Sequence, residues 1–309
     1  MRLIVGTRGS ELAIIQTDIV IDKIRNLYPD IEIEKKIIIT KGDKVLDRAL
    51  DKIGDKGIFV SEIEKQILSG EIDFAVHSLK DMPTIISEGL LLTKTPNRAN
   101  PADILVLNSK YNMNHDEIHD WLKNSKNIKI ATGSKRRISQ LLKINPGIEV
   151  PLIRGNINTR IKKMELEDFD GIVIAAAGIE RLGLEKKLKI YYFDYDEMIP
   201  SPGQGALAIE IRENDSFLRK ICDEIADLES DIGVIAERSF IKSIDGGCHM
   251  PVGAISEIDG DILRLRAMYG DSECKNIVSA KLEGKKVDAV EIGNELAKIL
   301  YKKLHDKER

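Results

Sequence analysis

Short apolar runs alternate with helix-spaced segments through the first two-thirds of the chain, and no other feature limits its fold as much. Residues 3–6 read as a strand. Ser10 then stands at a helix N-cap, and Leu12, Ile15, Ile19, Ile24 and Leu27 keep near-helical spacing up to Tyr28-Pro29. Residues 31–40 are a second strand. Ser61-Glu62-Ile63-Glu64 has the capping-box pattern, and the helix it opens stops at Gly70. Further strands are expected at 72–76, 104–107, 128–131, 150–153, 171–175 and 206–211, most of them leading into a polar turn and a helix. Such alternation gives a mainly parallel sheet built from βα units. Pro96 to Pro101 and Pro200 to Gly205 read as two crossings between lobes. Beyond residue 211 the pattern changes to helices near 215–228 and 231–243 and strands flanking the hairpin signal Asp259-Gly260. A strand near 277–282 and a helix opened by Asp288 and Glu291 complete it. The expected fold is α/β, with a double crossover and a small C-terminal α+β domain. Its divisions are 1–98 with 200–217, then 99–199, then 218–309.

In open α/β sheets, ligands bind beyond the carboxyl ends of the strands. His77, Ser78, Lys80 and Asp81 fall there, and Pro83 keeps Asp81-Met82 from continuing as a helix. Alone, that stretch reads equally well as a solvated loop. Other loop ends carry cations: Arg8, Arg136 with Arg137, Arg154 with Arg160, and Arg181, joined by Lys52 and Lys56 in a glycine-punctuated segment expected to be mobile. Each taken singly is an ordinary surface charge. Together, in a chain of 47 basic and 51 acidic residues with net charge −4, they describe a local cleft for several carboxylates or phosphates. Ser134 as N-cap with Arg136 and Arg137 in the first turn makes an anion seat. Cations there oppose the helix dipole, so helix stability alone does not explain them. No phosphate-loop pattern is present.

Asp81 is an acid among bases, suited to steadying a cation or accepting a proton. Cys248 lies in Gly246-Gly247-Cys248-His249-Met250-Pro251, an irregular loop in which an accessible thiol is a nucleophile or an attachment point. Cys222 and Cys274 read as small buried hydrophobes. His115 and His119 have i, i+4 spacing, but Asp116 replaces the expected Glu and no third ligand is apparent, so an exposed helix is the better reading than a metal site. Net acidity and 5% aromatic content disfavour nucleic acid. The chain lacks a run long enough to span a membrane and begins as a strand rather than a signal core, so a cytoplasmic location is expected, and with no long apolar helix face demanding a partner, a monomer.

Gly6-Thr7-Arg8-Gly9-Ser10-Glu11-Leu12-Ala13, Thr40-Lys41-Gly42-Asp43, Gly54-Asp55-Lys56-Gly57-Ile58-Phe59, Val76-His77-Ser78-Leu79-Lys80-Asp81, Arg154-Gly155-Asn156-Ile157-Asn158-Thr159-Arg160, Gly203-Gln204-Gly205-Ala206 and Gly246-Gly247-Cys248 follow one another in an order that closely resembles the porphobilinogen deaminase (hydroxymethylbilane synthase) family over nearly the whole chain. The resemblance implies two lobes similar to type II periplasmic binding proteins and a third domain carrying the cysteine loop. It implies a heme-pathway transferase with a dipyrromethane cofactor joined to Cys248 by a thioether. Four porphobilinogen molecules are added in turn with loss of ammonia, and hydroxymethylbilane is released by hydrolysis. Asp81 would be catalytic. Ser78, Lys80, Asp81, Ser134, Arg136 and Arg137 would bind the cofactor, and Arg8, Ser10, Arg154, Arg160, Arg181 and Gln204 the substrate. Lys52, Lys56 and Phe59 would belong to an active-site loop, and no metal is implied. Two departures stand out: Gly133-Ser134-Lys135 where many members have Ser-Ser-Leu, and Asp245 where Glu is common. The alternative is a non-catalytic cytoplasmic two-lobed binder of a small polyanion, which gives Asp81 and Cys248 no role.

Overall fold

The structure, a computed structural model, describes residues 1–40, 60–244 and 250–306. Its strands are β1 (Arg2–Thr7), β2 (Glu32–Ile37), β3 (Phe74–Ser78), β4 (Leu90–Leu92), β5 (Asp103–Leu107), β6 (Ile130–Ala131), β7 (Gly171–Ala175), β8 (Ile190–Tyr192), β9 (Leu207–Arg212), β10 (Val252–Asp259), β11 (Ile262–Gly270) and β12 (Ile277–Lys285). Two compact units hold them: Met1–Ala99 with Gly205–Val234, and Asn100–Gln204 with Ile235–Arg309.

In the first unit the sheet order is β2-β1-β3-β9-β4. β1 runs parallel to β2 and β3, whereas β9 is antiparallel to both β3 and β4. The sheet is therefore mixed rather than mainly parallel. Alternate residues Leu3 and Val5, Phe74 and Val76, and Leu207, Ile209 and Ile211 share one face, as a period of two requires. They pack against Val20, Ile21 and Ile24 of helix Glu11–Leu27, and burying each such side chain contributes roughly 1.5–3 kcal/mol. Ser10 caps that helix, its hydroxyl accepting the Ala13 N–H at 3.3 Å. The capping box at Ser61 does not form. Val60 holds the N-cap position of helix Ser61–Ser69 and is buried, so the apolar contact at the helix entry displaces the polar one. Gly70 closes the helix at φ 77°, a left-handed conformation that glycine adopts without strain.

The second unit has a sheet of order β6-β7-β5-β8, with β6 parallel to β7 and β5 antiparallel to β7 and β8. The strand expected at 150–153 is only an edge. Ile130 N–H donates to Glu149 O at 2.9 Å and Thr132 N–H to Pro151 O at 3.1 Å, and no strand develops beyond them. With that edge counted, both sheets have one order. In each, the antiparallel strand (β9 or β5) is the one that enters directly after a crossing. The mixed sheets follow from that connectivity.

The remaining sheet, β10-β11-β12, is antiparallel throughout and turns at Gly260-Asp261, with Gly260 at φ 60°. Helix Ala289–His305 covers it, burying Ile292, Leu296, Leu300 and Leu304 at helical spacing. It lies so close to helix Leu228–Ser243 that a Cβ on Gly293 would stand 2.4 Å from the Ala236 carbonyl. Among the described residues, no helix is long and apolar enough to cross a membrane.

Candidate functional site

β3 extends two residues further than the apolar run suggested, because β9 continues to pair with it through Ser78↔Leu207. His77 and Ser78 thus belong to the strand and face opposite sides. Leu79–Asp81 then makes one 3₁₀ turn, and Met82, with ψ 139°, is extended as a residue before proline must be. Leu79 and Met82 are buried with Val60, Ala206 and Ala208. Those two anchors leave Lys80 and Asp81 exposed. Gln16 of the first helix meets the Ser78 hydroxyl at 2.9 Å. Arg8 is half-buried just past β1. Ser10, the substrate contact expected beside it, already serves its own helix as the cap.

In the second unit, Arg136 and Arg137 do not form the open anion seat expected of them. Both are buried (5% and 6% exposed) against Asp103, which is 0% exposed. Arg137 donates to Asp103 Oδ1 from Nε at 3.0 Å and Nη2 at 2.7 Å, and from Nη1 to the Val173 carbonyl at 2.9 Å. Arg136 Nη1 donates to Asp103 Oδ2 and, at 2.7 Å, to the Ile199 carbonyl. Burial opposes ionisation of Asp103, but the two guanidiniums and the Gln204 amide outweigh it and hold the carboxyl well below the usual carboxylate range. Gln204 donates to Asp103 Oδ1 at 2.9 Å and to the Pro101 carbonyl at 2.8 Å, which ties the second crossing to the start of β5. The two cations in a first turn, unexplained by helix stability, are explained by this ion cluster.

That arrangement carries a stability prediction. Removing the carboxyl leaves two guanidiniums buried side by side, and breaking a buried pair costs about 3–5 kcal/mol. Asp103→Ala should lower the urea midpoint accordingly. The depressed folded-state pKa sets the sign with pH. The contribution is present above the unfolded carboxyl value of about 4 and is lost as pH falls towards the folded value. Unfolding from pH 7 down to 2 should therefore show a steeper acid loss in the wild type than in Asp103→Ala. Parallel curves would remove Asp103 as the cause.

The other expected cations lie in separate settings. Ser134 occupies the N-cap of helix Lys135–Ile144 without a side-chain cap bond. Lys135, the added cation of the Gly-Ser-Lys departure, donates to the Ser272 carbonyl at 3.1 Å, and the Cys274 thiol approaches the Lys135 carbonyl at 3.7 Å. It docks the β11–β12 loop rather than adding to an anion seat. Gly155 at φ 116° turns the chain into helix Ile157–Leu166, capped by Asn156, and Arg160 Nε donates back to the Gly155 carbonyl at 2.8 Å. Arg154 and Arg160 are half-buried. Arg181 ends helix Ala176–Arg181, and burial pushes its guanidinium pKa down. Lys52, Lys56, Phe59 and Cys248 lie outside the described residues.

Cys222 is 1% exposed, and burial pushes its thiol up to about 12. Burial also raises the Cys274 thiol. His119 lies 3.0 Å from the Tyr191 hydroxyl and 3.1 Å from Glu197, and His115 packs its ring on Tyr191. Asp103, Gln16 and Glu210 were not anticipated. For Asp103 a signal existed, namely an acid heading the wholly apolar run Ile104-Leu105-Val106-Leu107 directly after a proline-bounded crossing.

Two α/β sheets of one strand order, joined by two crossings, define a double-crossover α/β protein, with a carboxylate-bearing turn on the first and cations beside strand ends on both. The family models described as "Porphobilinogen deaminase, dipyromethane cofactor binding domain" and "Porphobilinogen deaminase, C-terminal domain" match residues 3–220 and 232–302. The porphobilinogen deaminase of Clostridium novyi (strain NT) is 48% identical over 307 residues, covering 99% of this chain and 100% of the relative. That of Clostridioides difficile (strain 630) is 46% identical over 308 residues, covering 100% of both. Among solved structures, the probable amino-acid ABC transporter extracellular-binding protein ytmK from Bacillus subtilis aligns with a TM-score of 0.44 and 13% identity, over 73% of this chain and 90% of its own. The chain belongs to the porphobilinogen deaminase family.

Proposed function

We propose that this chain catalyses the tetrapyrrole-forming reaction of its family. Four porphobilinogen molecules are joined head to tail onto a covalently held dipyrromethane, each with loss of ammonia, and the linear hydroxymethylbilane is then released by hydrolysis. The observation that carries this reading is the match of both family models along the chain, with Asp81 standing exposed on a turn anchored by buried Leu79 and Met82.

The donor set suits the cofactor's chemistry. Each pyrrole brings two carboxylates, and the cations are Arg8 and Arg154 in loops, Lys80 on the 3₁₀ turn, and Arg160 and Arg181 on short helices, with the hydroxyls of Ser78 at the end of β3 and Ser134 at a helix N-cap. Arg136 and Arg137 fit less directly, because Arg137 already directs all three of its nitrogens at Asp103 and Val173. We assign these two to holding the loop that presents Ser134, with any carboxylate contact left to Arg136. When bound, the dipyrromethane supplies the pyrrole carbon to which the first substrate is joined. Cys248 is its attachment point, Gln204 braces the second crossing through Asp103 and the Pro101 carbonyl, and Lys52, Lys56 and Phe59 are assigned to the same active site.

Asp81 acts on the substrate. The aminomethyl group of porphobilinogen is already an ammonium at neutral pH, so its C–N bond breaks with departure of ammonia and without a strong acid. An electron-poor cationic ring remains, and the negative charge of the Asp81 side chain steadies it. The three divisions 1–98 with 200–217, 99–199 and 218–309, a cytoplasmic location and a monomeric state complete the reading. The test is an Ehrlich-type colour reaction on denatured wild-type protein together with its intact mass. A bound pyrrole and a matching mass increase are expected. An unmodified mass with no colour would leave the non-catalytic polyanion binder in its place.

A further inference from the structure

His77 is buried on β3, and its Nε2 lies 3.1 Å from Glu210 Oε2 on β9, where Glu210 is 0% exposed. In the antiparallel ladder His77 stands opposite Ala208 and Glu210 opposite Ala75, so the pair is diagonal, and two alanines leave it room. The surrounding face is apolar, with Ile63, Ile67 and Ala75 on one side and Leu79, Met82 and Ala208 on the other. A third titratable group approaches from helix Ser61–Ser69. Burial, and next the neighbouring Glu210, push the Glu64 carboxyl up, while the Ser87 hydroxyl at 3.1 Å and His77 pull it down. Glu210 Oε1 is buried without a hydrogen-bond partner among the described residues. A buried, hydrogen-bonded polar pair adds little stability over apolar residues of the same volume, and fixing a register is the best-attested use of such a pair.

The register in question ends at the turn of interest. One residue after His77, Ser78 makes the last ladder pair, and Leu79 N–H donates to the Ala206 carbonyl at 3.1 Å before the turn that carries Lys80 and Asp81. We propose that His77 and Glu210 are positioning residues: their bond fixes the end of β3 on β9 and so sets where the Asp81 carboxylate stands. This rests on the reading of Asp81 given above and deepens it. Neither side chain touches the reacting atoms.

The discriminating series replaces His77 by Leu and by Gln in the full-length, cofactor-loaded protein. Leu removes the donor, whereas the amide of Gln reaches the same Glu210 oxygen. His77→Leu should lower kcat by about 10- to 100-fold, the scale of a misplaced catalytic group. KM should stay within about threefold, since binding and transition-state effects separate in this way, and the intact mass should still show the adduct. His77→Gln should recover most of the loss. Wild-type kcat in His77→Leu, or a Gln variant no better than Leu, would overturn the proposal. Should His77→Leu fail to fold, His77→Asn, whose amide is too short to reach Glu210, takes its place with the same two outcomes. Asp81→Asn, assayed alongside, separates the two ideas. Full activity there would remove the reading of Asp81 and the positioning role with it. An inactive Asp81→Asn beside a fully active His77→Leu would remove only the positioning role.

Discussion

Asp81→Asn should lower turnover by roughly three orders of magnitude, the upper range for removing one preorganised electrostatic group, while fold and cofactor attachment persist. The fold should persist because Asp81 is exposed and the turn that carries it is held by Leu79, Met82 and the β3–β9 ladder. Attraction between opposite charges at ~4 Å is worth about 1 kcal/mol in water but about 4 at an effective dielectric of 20. An exposed carboxylate therefore gains most of its effect once bound substrate displaces solvent from it. Asn keeps the size and the hydrogen-bonding oxygen, so a large loss of rate reports on charge rather than shape. Ammonia release under saturating substrate, with thermal unfolding and intact mass on the same preparation, is the measurement. A variant within a few-fold of wild type would take Asp81 out of the mechanism.

The strand ends that carry Arg8, Lys80 and Asp81 could be read in the sequence because two local signals coincide there. An apolar run ends abruptly, and a proline or glycine forbids continuation. The α/β alternation was legible for the same reason. Strand direction was not. Whether β5 and β9 run with or against their neighbours depends on which lobe a crossing enters, and periodicity carries no information about that. The role of Arg136 and Arg137 failed to show for a related reason. Their partner Asp103 is 33 and 34 residues away, and local sequence reports a charge without its counter-charge. Ser61 misled in the other direction, since a motif of polar letters competed with the burial of Val60 and lost.

Intact mass of Cys248→Ser should match the bare polypeptide, whereas Cys222→Ser and Cys274→Ser should retain the adduct carried by the wild type. A thioether forms from a thiolate, and a serine hydroxyl, with a far higher pKa and weaker nucleophilicity, does not replace it. The surroundings of the other two thiols support that assignment. Cys222 is packed among Leu218, Ile221 and Ile225 with its thiol pushed up to about 12, so hardly any thiolate exists at neutral pH. Cys274 is raised by burial and directs its sulfur at the Lys135 carbonyl. Without a primer, Cys248→Ser should also lose turnover while leaving Asp81 untouched. It thereby separates loss of the primer from loss of the carboxylate, because Asp81→Asn retains the adduct and Cys248→Ser does not. An adduct that survives Cys248→Ser and disappears with Cys274→Ser would move the attachment point to the β11–β12 loop, and the assignment of Cys248 would fall with it.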